Sequence, residues 1–226
     1  MNELEPVVWL VVFVISITVH EAAHAWAAYL GGDPTAYQGG QVSLNPLPHM
    51  RREPFGMVLM PLLSTFANGF PIGWASTPYD PRWEERHPRR AAWMAAAGPA
   101  ANLALALVAL VGLRIGLESG AFVSPGQLDA TRLVMSDTNW IDGLGRFLSM
   151  TLVLNTILCL FNLVPLPPLD GASAITLLLP EQAGLRLRRA LRQPAIAMAG
   201  LLAVWFGFGT VVRPVFRVLI GLVYAG

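Results

Sequence analysis

Apolar residues occur in long runs along this chain, and polar stretches rich in Pro and Gly separate them. A helix needs roughly 20 apolar residues to cross the hydrocarbon core of a bilayer. Runs of about this length cover residues 7–30, 91–117, 147–164 and 194–224. Arg213, Pro214 and Arg217 interrupt the last run, which is either one long tilted helix or a tight hairpin.

Two shorter segments complete the pattern. Residues 55–70 are apolar but contain Pro61, Ser64 and Asn68, which indicates a short span or a re-entrant segment. Residues 71–78 (PIGWASTP) contain both Pro and Gly, and we expect them to be extended. The pattern predicts an all-α integral membrane protein, a polytopic bundle of about 4–6 transmembrane helices with a short re-entrant or extended segment. Residues 1–226 are expected to form a single membrane-embedded domain.

Composition supports a membrane protein. Of the 226 residues 54% are hydrophobic and only 13% are charged, with a mean hydropathy of +0.54. A soluble domain carries about 25% charged residues. The net charge of +1 gives no indication of nucleic-acid binding. The single cysteine, Cys159, cannot form an internal disulfide and is expected to pack as a small apolar residue between helices.

The arginine distribution predicts the orientation in the membrane, because cytoplasmic loops carry an excess of basic residues. Residues 31–90 hold six arginines and residues 179–194 hold four, whereas residues 118–145 hold one arginine against four acidic residues. The N-terminus should therefore be outside, and the first helix should enter the cytoplasm at Leu30. This chain should be a multi-pass protein whose polar features gather near the cytoplasmic side.

The most informative motif is His20-Glu21-Ala22-Ala23-His24, inside the first apolar run. Positions i and i+4 share a helix face, so His20 and His24 can present two imidazoles to one metal ion. Glu21 is placed where it can deprotonate a water on that metal. The alternative is that both histidines form hydrogen bonds to neighbouring helices. Ionisable groups at membrane depth are costly, and this favours the functional interpretation.

Zinc in a catalytic site takes a third protein ligand and leaves a fourth position for water. Asp170 is the only carboxylate between Asp142 and Glu181, and it follows a Pro-rich break after the apolar run 147–164. At 1.5 Å per residue, His24 lies about 9 Å from the cytoplasmic end of its helix, and the sequence GPAAN starts about 12 Å after Arg90. Asp170 is expected at a similar depth, so we predict that it is the third ligand.

Other candidate ligands fit less well. His49 and His87 lie in segments rich in Arg and Pro, where a solvated histidine is expected. Cys159 is expected to lie too far out along its span to bind the same metal as His20 and His24. Two amides remain, Asn102 and Asn162, and either can orient a substrate or join two helices. We expect a structural role for Asn102, beside Gly98-Pro99, and a catalytic role for Asn162.

Taken together, HEAAH, GPAAN and NLVPLPPLDG resemble the motifs of the site-2 proteases, the intramembrane zinc metalloproteases. The chain is similar to the compact bacterial type that has no PDZ or CBS domain. It departs from the expected pattern at Ser76, where a basic residue is expected, and at Ala172, where a second Gly is expected.

The resemblance implies a catalytic role for Glu21 as general base and for Asn162 near the reacting carbonyl. It implies one zinc ion per chain, bound by His20, His24 and Asp170. Expected partners are membrane protein substrates, mainly single-pass segments, within the lipid bilayer of the inner (cytoplasmic) membrane. The PIGWASTP segment is expected to pair with an unwound substrate as an edge strand.

Two other functions remain open at this stage. A zinc transporter would more typically show repeated halves or several spans with His and Asp, and the sequence shows neither. A non-catalytic relative that binds membrane proteins without cutting them is the second alternative, although the intact HExxH motif argues against it.

Overall fold

The computed structural model describes residues 4–191 and 193–225, so Arg192 of the second arginine cluster lies outside the described residues. The secondary structure of the described residues is helical, with isolated β-bridges and no strands. The helices are α1 (Glu5–Leu30), α2 (Thr35–Gln38), α3 (Pro46–Arg52), α4 (Met60–Asn68), α5 (Pro81–Arg86), α6 (Pro88–Glu118), α7 (Asn139–Asn162), α8 (Gly171–Ala174), α9 (Glu181–Leu191) and α10 (Pro194–Tyr224). The predicted all-α membrane bundle is confirmed.

Within the described residues, three helices are long and apolar enough to cross a membrane, namely α1, α6 and α7. They pack against one another and form the centre of the bundle. Helix α6 contacts both α1 and α7 extensively, because its Ala and Gly residues allow close approach. Each of the three corresponds to one of the predicted apolar runs.

Helix α7 begins at Asn139, well before the apolar run that predicted it. Its first turns carry Asp142 and Arg146, which form an ion pair with a 3.0 Å separation between Arg146 Nε and Asp142 Oδ2. Arg132 reaches the other oxygen of Asp142 from the preceding loop, also at 3.0 Å. The helix therefore extends past the apolar run because these charges are satisfied among themselves.

The last apolar run forms one helix of 31 residues, α10, so the hairpin alternative is wrong. Pro214 lies inside this helix and does not end it. Continuing the helix keeps the neighbouring backbone groups hydrogen-bonded to each other, which a hairpin at membrane depth would not do.

Residues 55–70 form a short helical segment instead of a full span. A π-helical turn, Phe55–Leu59, leads directly into α4. Fourteen helical residues rise about 21 Å, which is less than the roughly 30 Å hydrocarbon core. The re-entrant interpretation therefore fits this segment better than a crossing.

The segment after α4 is extended, as expected from its Pro and Gly residues, and residues 71–80 contain no helix. It runs close to the π-helical turn: the Trp74 amide donates to the Gly56 carbonyl at 3.1 Å. A Cβ on Gly73 would lie 2.2 Å from that same carbonyl oxygen, so only glycine permits this approach. The close contact holds the extended segment beside the membrane helices.

The loop between α6 and α7 is packed, although it contains several acidic residues. Phe122, Leu133 and Val134 from this loop are buried against Leu113 of α6 and Leu152 of α7. The loop closes one end of the bundle, and its apolar side chains stabilise the pairing of α6 with α7.

Candidate metal centre

Three potential metal ligands meet in one place. The Nε2 atoms of His20 and His24 are 3.0 Å apart, and each lies 3.2 Å from Oδ2 of Asp170. A tetrahedral zinc ion with bonds of about 2.0–2.1 Å places its ligand atoms about 3.3–3.4 Å apart. The triangle therefore has nearly the dimensions of one face of a zinc coordination shell, with the fourth position left for another ligand.

The hydrogen bond of His24 also favours a bound cation at this position. Nδ1 of His24 lies 2.7 Å from the Met94 carbonyl oxygen, which can only accept, so Nδ1 carries the proton. Nε2 of His24 then presents a lone pair toward Nε2 of His20 and the Asp170 carboxylate. Lone pairs that converge in this way repel each other unless a cation lies between them. The described residues therefore form a site suited to a metal cation.

Local sequence explains how the ligands reach the site. His20 and His24 are one turn apart on α1 and face the same side. Asp170 follows the Pro-rich break after α7, where the chain turns back toward the helices. A Cβ on Gly171 would lie 2.3 Å from the Leu163 carbonyl oxygen, so this turn requires glycine.

Gly98 of α6 lets this helix lie directly against the histidines. A Cβ at this position would lie 2.3 Å from Nε2 of His24 and 2.6 Å from Nε2 of His20. Any other residue would occupy the space where the ligand atoms meet. The glycine of GPAAN therefore belongs to the metal centre, although it contributes no ligand atom.

A buried chain of amides supports His20. Its Nδ1 lies 2.5 Å from Oδ1 of Asn102 on α6. The amide nitrogen of Asn102 donates to Oδ1 of Asn155 at 2.8 Å, and the amide nitrogen of Asn155 donates to the Ser16 hydroxyl at 2.8 Å. Asn102 and Asn155 are both 0% exposed. The chain joins α1, α6 and α7, so Asn102 connects helices, as expected, and also orients a candidate ligand.

Glu21 is buried beside the two histidines, with 4% of its surface exposed. Its Oε2 lies 2.7 Å from the hydroxyl of Thr77, in the extended segment. The same hydroxyl lies 2.9 Å from the Glu21 backbone carbonyl. A buried carboxylate is costly without partners, and Thr77 supplies one.

Among the described residues, the cluster of possible metal ligands does not include Cys159, His49 or His87. The side-chain nitrogen of Asn162 donates to the Leu158 carbonyl at 3.0 Å, one turn earlier in α7. Cys159 is buried and free, as expected. His87 lies at the junction of α5 and α6. The expectation of a solvated His49 is wrong, because its side chain is 1% exposed and its Nε2 contacts the Ser43 carbonyl as α3 folds back onto α1.

Sequence reasoning did not single out Asn155, Thr77 or Met94. Of these three, only Asn155 carries a signal in the sequence, because an amide inside an apolar span is costly and needs a hydrogen-bond partner. Met94 acts through its backbone carbonyl, which no side-chain pattern reveals. Thr77 lies in a segment whose path depends on tertiary contacts.

Membrane-spanning helices that hold two histidines and a carboxylate in this geometry define a membrane protein with a candidate metal centre. Comparison with known proteins agrees: residues 8–206 match the profile of Peptidase family M50. The chain is 35% identical over 176 residues to a Bacillus subtilis (strain 168) protein named "Putative zinc metalloprotease YwhC". That alignment covers 76% of this chain and 68% of the relative. No solved structure matches the chain.

The chain therefore belongs to peptidase family M50, the site-2 protease family of membrane zinc metalloproteases. The predicted family is confirmed. Membership implies a metal, and the triangle of His20, His24 and Asp170 is the site among the described residues that fits one.

Proposed function

We propose that this chain is an intramembrane zinc endopeptidase that hydrolyses peptide bonds within or near transmembrane segments of membrane proteins, as in regulated intramembrane proteolysis. The observation that carries the proposal is the triangle of Nε2, Nε2 and Oδ2 atoms with 3.0–3.2 Å sides, on helices that are apolar enough to span a membrane. Family membership supports the same reaction class.

In this proposal His20, His24 and Asp170 hold one zinc ion per chain. Zinc in such a site supplies Lewis acidity, which polarises a carbonyl and makes water a nucleophile at neutral pH. Glu21 is the general base: its carboxylate takes one proton from the attacking water as the new carbon–oxygen bond forms. Glu21 then gives that proton to the nitrogen as the carbon–nitrogen bond breaks, so the products are a carboxylic acid and an amine, and the acid proton then passes to the amine to give a carboxylate and an ammonium group.

The substrate must unwind before it can react. A peptide bond inside a transmembrane helix is shielded by the hydrogen bonds of the helix. The extended residues 71–78 lie beside Glu21 through Thr77 and offer backbone groups to which an unwound strand can pair. This arrangement supports single-pass membrane proteins as substrates.

The proposed contact of Asn162 with the reacting carbonyl stays a prediction, since its amide donates to its own helix here.

We further propose that the protein resides in the cytoplasmic membrane with the site near the cytoplasmic face. His24 lies closer to the Leu30 end of α1 than to its start, and the loop that follows α1 leads to the arginine-rich residues 51–52 and 82–90. Basic loops favour the cytoplasmic side.

The test compares wild-type protein with Glu21→Gln and with the control Glu118→Gln, all purified in mild detergent and loaded with zinc. Glu118 lies at the exposed end of α6, so its substitution matches the chemistry without touching the site. The probe is a pool of synthetic single-pass peptides that differ in the position of a helix-breaking Gly-Pro pair. Digestion is run in water enriched in oxygen-18 and analysed by mass spectrometry.

We expect wild type and Glu118→Gln to cut the peptides and to place one solvent oxygen in each new carboxylate. Glu21→Gln should retain about one zinc per chain and lose cleavage, because the amide cannot accept the proton. Cleavage that survives in Glu21→Gln would contradict the mechanism. Zinc binding without cleavage by the wild type would instead favour the transporter or the non-catalytic alternative.

A further inference from the structure

The bond between Thr77 and Glu21 connects two parts of the molecule that carry different roles in the proposed function. Thr77 lies in the extended segment, and its hydroxyl is 2.7 Å from Oε2 of Glu21 on α1. Among the hydrogen bonds of the described residues, this hydroxyl is the side-chain group that reaches the Glu21 carboxylate. We infer that Thr77 is a positioning residue that fixes the orientation of the Glu21 carboxylate for proton transfer, an inference that rests on the proposed function.

A hydroxyl has one proton and here two acceptors within reach, the carboxylate and the Glu21 backbone carbonyl. A hydrogen bond to an ionised carboxylate is about twice as strong as one between neutral groups, so the proton goes to Oε2. Oε2 then has a fixed partner and Oε1 remains available to take a proton from water. The carboxylate is also held against rotation about its last torsion, which is otherwise broad.

The extended segment has anchors other than the Thr77 hydroxyl. The Ile72 amide donates to the Ser64 hydroxyl at 2.7 Å, and the Trp74 amide donates to the Gly56 carbonyl at 3.1 Å. On the other side of Thr77, the Asp80 amide donates to the Asp33 carboxylate at 2.7 Å. These anchors lie on both sides of Thr77, so the position of its side chain is set by the surrounding segment.

The consequence is a specific kinetic effect. A general base that is misplaced by about 1 Å can cost on the order of 100-fold in rate. Substrate binding by the backbone of the extended segment does not need the hydroxyl. Loss of the hydroxyl should therefore lower kcat and leave KM and metal binding unchanged.

The experiment uses the full chain in the same detergent, loaded with zinc, with the synthetic single-pass peptide that the wild type cuts fastest. Thr77→Val keeps the size of the side chain and removes the hydroxyl, and Thr77→Ser keeps the hydroxyl. The matched control is Thr151→Val, since Thr151 is another half-buried threonine whose hydroxyl bonds a carbonyl, that of Phe147 on α7. For each protein kcat, KM and zinc per chain are measured.

We expect Thr77→Val to lower kcat by about 10- to 100-fold with unchanged KM and about one zinc per chain, and Thr77→Ser to restore most of the rate. Thr151→Val should match the wild type. A Thr77→Val protein with wild-type kcat would overturn the inference and leave the proposed function intact. A loss of zinc, or a rise of KM that accounts for the whole effect, would also overturn it by showing a structural role. A wild type that cuts none of the peptides would refute the proposed function itself.

Discussion

Nδ1 of His20 lies 2.5 Å from Oδ1 of Asn102, which joins the first long helix to a residue 82 positions later in the chain. The Asn102 amide nitrogen is in turn held by Oδ1 of Asn155. Because Nδ1 of His20 is held by this network, Nε2 of the same ring is directed at Asp170. Residues that orient a metal ligand in this way commonly contribute 10- to 100-fold to metal affinity.

We therefore predict that Asn102→Ala weakens zinc binding by about 10- to 100-fold without removing a ligand. Competition with a zinc chelator of known affinity measures the change. Asn162→Ala is the comparison, because the side-chain nitrogen of Asn162 donates to the Leu158 carbonyl of its own helix. Equal zinc affinity in the two variants would show that the Asn102 contact does not support the ligand.

The ligand set makes a second prediction. His24→Ala and Asp170→Ala should each lose the zinc that the wild type retains through purification, since either change leaves only two protein ligands. His87→Ala should keep about one zinc per chain, because His87 lies at the junction of α5 and α6. Metal analysis of the purified proteins decides this, and zinc retained tightly by Asp170→Ala would mean that another residue is the third ligand.

Gly98→Ala should also abolish zinc binding, although it changes no ligand. The added methyl group would lie 2.3 Å from Nε2 of His24, well inside van der Waals contact. Gly143→Ala is the control, since a Cβ on that α7 residue meets nothing within 4 Å. The measurement is zinc per chain together with helix content by circular dichroism; full zinc occupancy in Gly98→Ala would show that α6 can move away from α1.

The pair formed by Arg188 and Glu84 predicts a stability effect away from the metal. Arg188 Nη1 lies 2.9 Å from Oε1 of Glu84, and both side chains are under 10% exposed. Removing one partner of a buried ion pair costs about 3–5 kcal/mol, because the other charge stays buried. Arg188→Met should therefore lower the Tm in detergent, and Arg186→Met, a change at an exposed position of the same helix, should leave it unchanged. Equal Tm values for these two variants would contradict the prediction.

The sequence indicated the three residues that the structure brings together, because each of them carries a local signal. His20 and His24 are placed on one face by helical periodicity, and Asp170 is an isolated carboxylate after a helix break. Asn102 was noticed, but its contact with His20 depends on how α6 is rotated against α1. That rotation is set by small residues such as Gly98, which fit against the histidines, and a single sequence does not reveal such packing.

The long helices were predicted better than the start of α7 and the loop that precedes it. The apolar runs located α1, α6, α7 and α10, because spanning helices must be apolar over a fixed length. The start of α7 was not predicted, because a charged residue such as Asp142 is more typical of a loop than of a spanning helix. In the structure its charge is compensated by Arg132 and Arg146. The burial of the loop residue Phe122 was also not predicted. It lies in a segment with several acidic residues, and its burial depends on tertiary contacts with α6 and α7.

The position of Asp170 has a consequence for the biosynthesis of this protein. The two histidines of α1 are made and inserted early, whereas the carboxylate that completes the triangle follows the third long helix. Until α7 has entered the membrane and the turn at Gly171 has closed, the chain holds two imidazoles and a base but no complete ligand set. In the proposed function a newly made chain therefore cannot cleave neighbouring membrane proteins, and proteolytic competence begins only when the bundle is assembled.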